Sequence, residues 1–216
     1  MAFNCDARQL PIPDSSVDLV VTSPPYINVF NYHQQYRIPA EALGWDLLTV
    51  AKSEIGSNRK HRGNRFLTVI QYCLDITAVL SELSRVCKPS ARAIFVVGRE
   101  STVRGSRFFN GEIVGRLAAE CTSFRLDFRQ ERAFTNRFGH TIVEDLLHFH
   151  CRKTHKHSDL FSVSDARTVA ESFLRNAVDE AQGDEVRTDI ESAIALLTEV
   201  QPSPFFCSVA AQRGAR

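Results

Sequence analysis

Val17-Asp18-Leu19-Val20-Val21-Thr22-Ser23-Pro24-Pro25-Tyr26 is the stretch on which the reading of this chain turns. Val17, Leu19, Val20 and Val21 are apolar and mostly β-branched, the composition of a strand covered on both faces. The pattern stops at Thr22-Ser23-Pro24-Pro25-Tyr26. Neither proline can donate a ladder hydrogen bond, and Pro25 holds Pro24 extended. A buried strand therefore ends in a stiff, non-helical loop that carries a hydroxyl and an aromatic ring. In open α/β sheets ligands bind beyond the carboxyl ends of the strands. Chemistry is expected on this loop.

Working outward, residues 13–16 read as a turn, and residues 2–5 as the apolar end of an earlier strand, followed by Asp6. Residues 27–37 mix aromatic and amide side chains without a clean period. Asn28 and Tyr32 are the residues there best suited to contact bases. Residues 52–65 hold five Lys or Arg among fourteen positions, including Arg59, Lys60 and Arg62, against one acidic Glu54. Such a loop suits phosphates, although a solvated surface loop has the same composition.

Apolar residues recur at helical spacing over residues 66–86, and Lys88-Pro89-Ser90 is expected to end that helix. Residues 91–97 read as a buried strand closed by Gly98. Residues 99–110, with Arg99, Arg104 and Arg107, form a second basic loop and a second candidate phosphate clamp. A helix over 111–121 follows, then strands over 124–132 and 141–151. The turn between them carries Asn136 and Phe138, which could read and stack a base; a plain hairpin turn fits equally. His148, His150, His155 and His157 alternate into a Lys-rich exit, and a metal site is disfavoured. Two amphipathic helices are expected over 166–181 and 185–200. Pro202-Ser203-Pro204 then breaks the chain before a small apolar plug at Phe205-Phe206-Cys207. The expected division is 1–157 and a helical extension, 158–216.

Composition bounds the function. The chain has 216 residues, 24% of them charged, and a formal net charge of +1. That suits one α/β domain with an appendage. Nucleic-acid binding would have to come from a local patch rather than bulk basicity. No uninterrupted apolar run reaches the ~18 residues of a membrane span, and no signal peptide is recognisable. The six cysteines are scattered with no C-x-x-C pair, as expected of reduced thiols in a cytoplasm.

With its context, Ser23-Pro24-Pro25-Tyr26 resembles the catalytic motif of the DNA amino-methyltransferases. The resemblance runs from about residue 4 to residue 153. It implies a Rossmann-like α/β sheet, S-adenosyl-L-methionine as methyl donor, and double-stranded DNA with a flipped target base as partner. Ser in the first motif position is most typical of members acting on cytosine N4, with adenine N6 next. A base amine is a poor nucleophile because its lone pair is delocalised. The resemblance implies that the Ser23 hydroxyl and Pro24 carbonyl accept its hydrogen bonds and orient it, while Tyr26 stacks on the flipped base. It further implies that Asp6 accepts from the cofactor adenine, with Thr22 and Ser23 beside the cofactor.

Two departures stand out. Ser90 occupies a position where the family usually has Gly. No segment resembles the family's Phe-x-Gly-x-Gly cofactor loop. The family's strand order is 3-2-1-4-5-7-6, and the chain is expected to begin at strand three, leaving the central edge bare. Three readings follow: a split or truncated enzyme needing a separate chain with the cofactor motif, within a restriction-modification setting; a non-catalytic DNA-binding or assembly subunit; or a methyltransferase for a protein glutamine or an RNA base. The third is disfavoured because glutamine enzymes resemble Asn-Pro-Pro-Tyr.

Overall fold

A computed structural model describes residues 3–27, 31–57, 61–152 and 162–206. Strand β1 (Val17–Thr22) runs into the proline loop. Three short helices follow: α1 (Tyr32–Gln35), α2 (Arg37–Ala42) and α3 (Leu47–Ser53). Asp46 caps α3 by accepting from the main-chain N–H groups of Leu48 and Thr49. The long helix α4 (Leu67–Val86) then leads into β2 (Cys87–Gly98). By length and hydropathy α4 would pass as a membrane span, but two thirds of it is buried inside the protein. It is the core helix.

After β2 the chain makes a hairpin, β3 (Glu100–Val103) and β4 (Ser106–Phe109), where the sequence suggested an irregular loop. Arg104 and Gly105 both take positive φ at its two-residue turn, which matches the twist of paired strands. Helix α5 (Asn110–Cys121), β5 (Phe124–Thr135), β6 (Thr141–Cys151), α6 (Val163–Asp179) and α7 (Asp184–Ala195) complete the fold.

The four-stranded sheet has the order β1-β2-β6-β5. β1 and β2 are parallel, joined through α4, and β6 is antiparallel to both β2 and β5. This is an α/β fold, and its order repeats the 4-5-7-6 end of the expected Rossmann-like sheet. Residues 3–6 form no strand. Among the described residues the strand they were expected to make has no neighbour, and a lone strand cannot satisfy its backbone.

Alternate residues of β2 (Ala91, Ala93, Phe95, Val97) are buried. On this side α4 packs on α5 and α6. The opposite face is largely open: Leu19 is 56% exposed, Val21 66% and Phe128 51%. The expectation that β1 is covered on both faces is therefore corrected. Among the described residues β1 pairs only with β2, so it is an edge strand with one bare face.

The helical extension is part of the same core. Ala166, Val169, Ala170 and Leu174 of α6 and Ile190 and Ala193 of α7 are buried in one cluster with Phe66, Ile70 and Phe95. Ser90 sits at φ +67°. This backbone region costs an L side chain energy that glycine avoids, a physical reason for Gly at this place.

Candidate functional site

The proline loop leaves the carboxyl end of β1, where Thr22 still pairs with Phe95. Ser23 is exposed, Pro24 is buried, and Tyr26 is partly buried. The Ser23 hydroxyl lies 3.4 Å from the Tyr26 hydroxyl. Two glycines hold Tyr26, one at its ring and one at its main-chain carbonyl. A Cβ on Gly98 would stand 2.9 Å from Tyr26 Cε2, and one on Gly56 would stand 2.2 Å from the Tyr26 carbonyl oxygen. Gly56 also has φ +72°. The loop after α3 and the end of β2 thus clamp the tyrosine, and Tyr72 is fully buried beside Gly56. A rigid hydroxyl–phenol pair at a sheet edge can hold a planar, hydrogen-bonding group.

Asp6 stands in a different environment from the one expected. Its Oδ1 accepts from the Arg8 main-chain N–H and Nε, each at 2.9 Å. Its Oδ2 accepts from Arg8 Nη2 at 2.7 Å and from the Phe206 main-chain N–H at 2.9 Å. Four donors fill the four acceptor sites of a carboxylate. Burial opposes the charge of Asp6, but the bonds from Arg8 and Phe206 outweigh it and lower its pKa. Asp6 here holds the carboxyl-terminal segment and has no lone pair left for an adenine amine.

Arg8 is the centre of that arrangement. Its side chain is 1% exposed. Nη1 donates to Asp75 Oδ1 (2.8 Å) and the Ser203 carbonyl (2.7 Å), and Nη2 also donates to the Pro204 carbonyl (2.8 Å). With the two bonds to Asp6, all five guanidinium donors are used. Asp75, fully buried on α4, further accepts from the Ser203 main-chain N–H (2.8 Å) and hydroxyl. Sequence reasoning missed Arg8, Asp75 and Ser203. The available signal was Asp75 itself, a carboxylate among the apolar positions of a core helix, where a charge needs a partner.

The expected DNA contacts divide. Asn28, Arg59 and Lys60 lie outside the described residues. Arg62 is exposed beside the loop end of α4. Arg104, expected at a phosphate, pairs with Glu185 at 2.7 Å and with Asp189, which fastens the β3–β4 turn to α7. Asn136 is not free to read a base edge through its oxygen, because Oδ1 accepts from the main-chain N–H groups of Phe138 (2.9 Å) and His140 (3.0 Å). It shapes the hairpin turn. Phe138 is exposed, with Arg137 over its ring at 4.6 Å. Gly98, the last residue of β2, pairs with Glu144, yet β5 and β6 pair for three more positions, to Thr135 and Thr141. The hairpin therefore projects roughly 10 Å past β2, on the edge that carries Ser23 and Tyr26.

Tyr32 lines a cavity of about 380 Å³ with His33, Tyr36, Trp45 and Glu54. Glu54 accepts from His33 Nδ1 at 2.8 Å. Burial first, then nearby Tyr26, Tyr36 and Glu54, raises the Tyr32 pKa, so its hydroxyl keeps its proton at neutral pH. His148 stacks on Phe128 at 4.2 Å, and His150 pairs with Asp127.

No family model matches the chain, and no curated protein matches it. Solved structures resemble it. One is TTHA0409, a candidate DNA modification methylase from Thermus thermophilus complexed with S-adenosyl-L-methionine (18% identity, TM-score 0.42), with 71% of this chain and 54% of that one covered. Another is a SAM-dependent methyltransferase from Methanosarcina mazei (14% identity, TM-score 0.36), with 68% and 64% covered. The chain spans little more than half the length of the first and under two thirds of the second.

Proposed function

We propose that the chain is the catalytic and target-recognition part of a DNA methyltransferase that acts on an exocyclic base amine, cytosine N4 in first place and adenine N6 in second. One observation carries the reading. The Ser-Pro-Pro-Tyr loop stands at the carboxyl end of a parallel strand, with Ser23 exposed and 3.4 Å from the hydroxyl of a tyrosine clamped by Gly56 and Gly98. In this reading Ser23 Oγ accepts a hydrogen bond from the amine of a flipped base, and the Tyr26 ring supports the base plane. Pre-organisation of both groups supplies the acceleration. The projecting β5–β6 hairpin, with Phe138 near its tip, and the exposed Arg62 provide contacts to the DNA around the flipped nucleotide.

The methyl donor of this reading is S-adenosyl-L-methionine. The Asp6 carboxylate does not fit it as it stands, because Arg8 and Phe206 take every acceptor position. The open edge of β1 and its bare apolar face support a separate piece that pairs along Val17–Thr22 and brings the cofactor loop. The saturated Asp6 also favours a second reading, a non-catalytic DNA-binding or assembly subunit.

Substitution of the loop tests the first reading. Ser23→Ala and Tyr26→Ala should each lower methyl transfer to duplex DNA by about 10²-fold or more, with the melting temperature of Ser23→Ala within a few degrees of the parent. Unchanged turnover in both variants would remove the loop from the chemistry.

A further inference from the structure

After α7 the chain turns back across the molecule and ends its described course against the amino-terminal segment. Two parts of this return differ in character. Ser203 is a buried anchor, bonded to Asp75 through its main-chain N–H and hydroxyl and to Arg8 through its carbonyl. Beyond it the hold is lighter. Phe205 lies over the Arg8 guanidinium at 4.8 Å and is 57% exposed. Phe206 donates its main-chain N–H to Asp6 and rests against Trp45, with ring centroids 5.2 Å apart. Phe206 thus presents to Asp6 what an adenine would present: an N–H donor with an aromatic plane beside it.

We propose that Pro204, Phe205 and Phe206 form a displaceable strap that competes with the adenine of the cofactor for Asp6, while Ser203 stays fixed as its hinge. The proposal rests on the reading of Asp6 as the adenine acceptor. It makes the saturated carboxylate a closed state of the site. Opening removes one donor from Asp6 Oδ2 and uncovers the Trp45 ring, and Arg8 keeps its bonds to Asp6, Asp75 and Ser203. Among the described residues the strap is attached by one hydrogen bond to Asp6, one to Arg8 and two ring contacts. Exchange for a ligand that restores the N–H bond and the stacking is therefore nearly balanced.

Trp45 is the only tryptophan of the chain, so its emission reports the strap directly. The test compares the full chain with a chain ended after Pro204 and with a full-length Phe205→Ala/Phe206→Ala variant, which answers if the shortened chain does not fold. Two quantities are measured: the dissociation constant for S-adenosyl-L-methionine by calorimetry, and Trp45 emission with and without it. The strap predicts about tenfold tighter binding in both variants. It also predicts that the cofactor moves the full chain's Trp45 emission toward that of the shortened chain. Equal affinity in all three, with Trp45 emission unmoved by the cofactor, would overturn the strap and leave the cofactor reading standing. No binding by any of them would overturn the strap as what keeps the cofactor from Asp6, and would favour the reading in which a separate piece brings the cofactor loop.

Discussion

The ring of Tyr26 rests on the main chain of Gly98, so close that a methyl group there would meet Cε2 at 2.9 Å. The last residue of β2 is thus a seat for the aromatic residue at the end of β1's loop. Gly98→Ala should push the ring off its position. Overpacking of this kind costs about 1–3 kcal/mol, and turnover should fall at least tenfold if the Tyr26 plane supports the base. Gly56→Ala should cost more, because its neighbour is a main-chain oxygen and its φ is +72°. Thermal melts alongside methyl-transfer rates separate the two effects.

Ser90 holds a backbone conformation in which a side chain is strained, at φ +67°. The strain is worth about 1–2 kcal/mol, and part of its relief is lost to the greater chain entropy of glycine. Ser90→Gly should stabilise the protein by up to about 1 kcal/mol, read as a higher urea midpoint with an unchanged slope. A lower midpoint would contradict the strain at this residue.

The hold of the carboxyl-terminal segment should depend on pH through Asp6. Its pKa in the fold lies below that of the unfolded chain. The stabilisation is therefore complete above the ordinary carboxylate pKa and is lost as pH falls through the lower, folded value. Trp45 emission should be constant from pH 8 down to about pH 5 and change only below about pH 4. Asp6→Asn should remove that dependence.

The two basic candidates separate by salt. Arg104 pairs with Glu185 and Asp189 of α7. Arg104→Ala should leave DNA affinity and its salt slope unchanged and lower the melting temperature slightly, since exposed pairs contribute little. Arg62→Ala should weaken binding to all sequences alike and reduce the log–log salt slope by about 0.9. An equal loss in both variants would return Arg104 to the DNA surface.

Much of the fold was legible because its signals are local. The helical period over α4 and the β-branched runs of β1 and β2 depend on neighbours in sequence. So do the proline stop at Pro24 and the Asn136 turn. The sheet order followed from the family that the loop resembles. What could not be read depends on distant partners. Leu19 and Val21 have the composition of buried strand residues, and their exposure follows from that face of the sheet having no covering layer among the described residues. Arg104 reads as a free cation until α7 folds beside it. Asp6 reads as a free acceptor because its fourth donor, the Phe206 main-chain N–H, lies 200 positions away, and nothing near Asp6 in sequence shows that Arg8 is turned back onto it by Asp75 and Ser203.

The most direct measurement is the identity of the methylated nucleoside. Duplex DNA is incubated with labelled S-adenosyl-L-methionine and the chain, alone and together with the piece that carries the cofactor loop, then digested and separated by chromatography. The account predicts label in N4-methylcytosine, with N6-methyladenine the second assignment, and its loss with Ser23→Ala. Label on a ring carbon, or label undiminished by Ser23→Ala, would contradict the claim that Ser23 and Tyr26 hold an exocyclic amine.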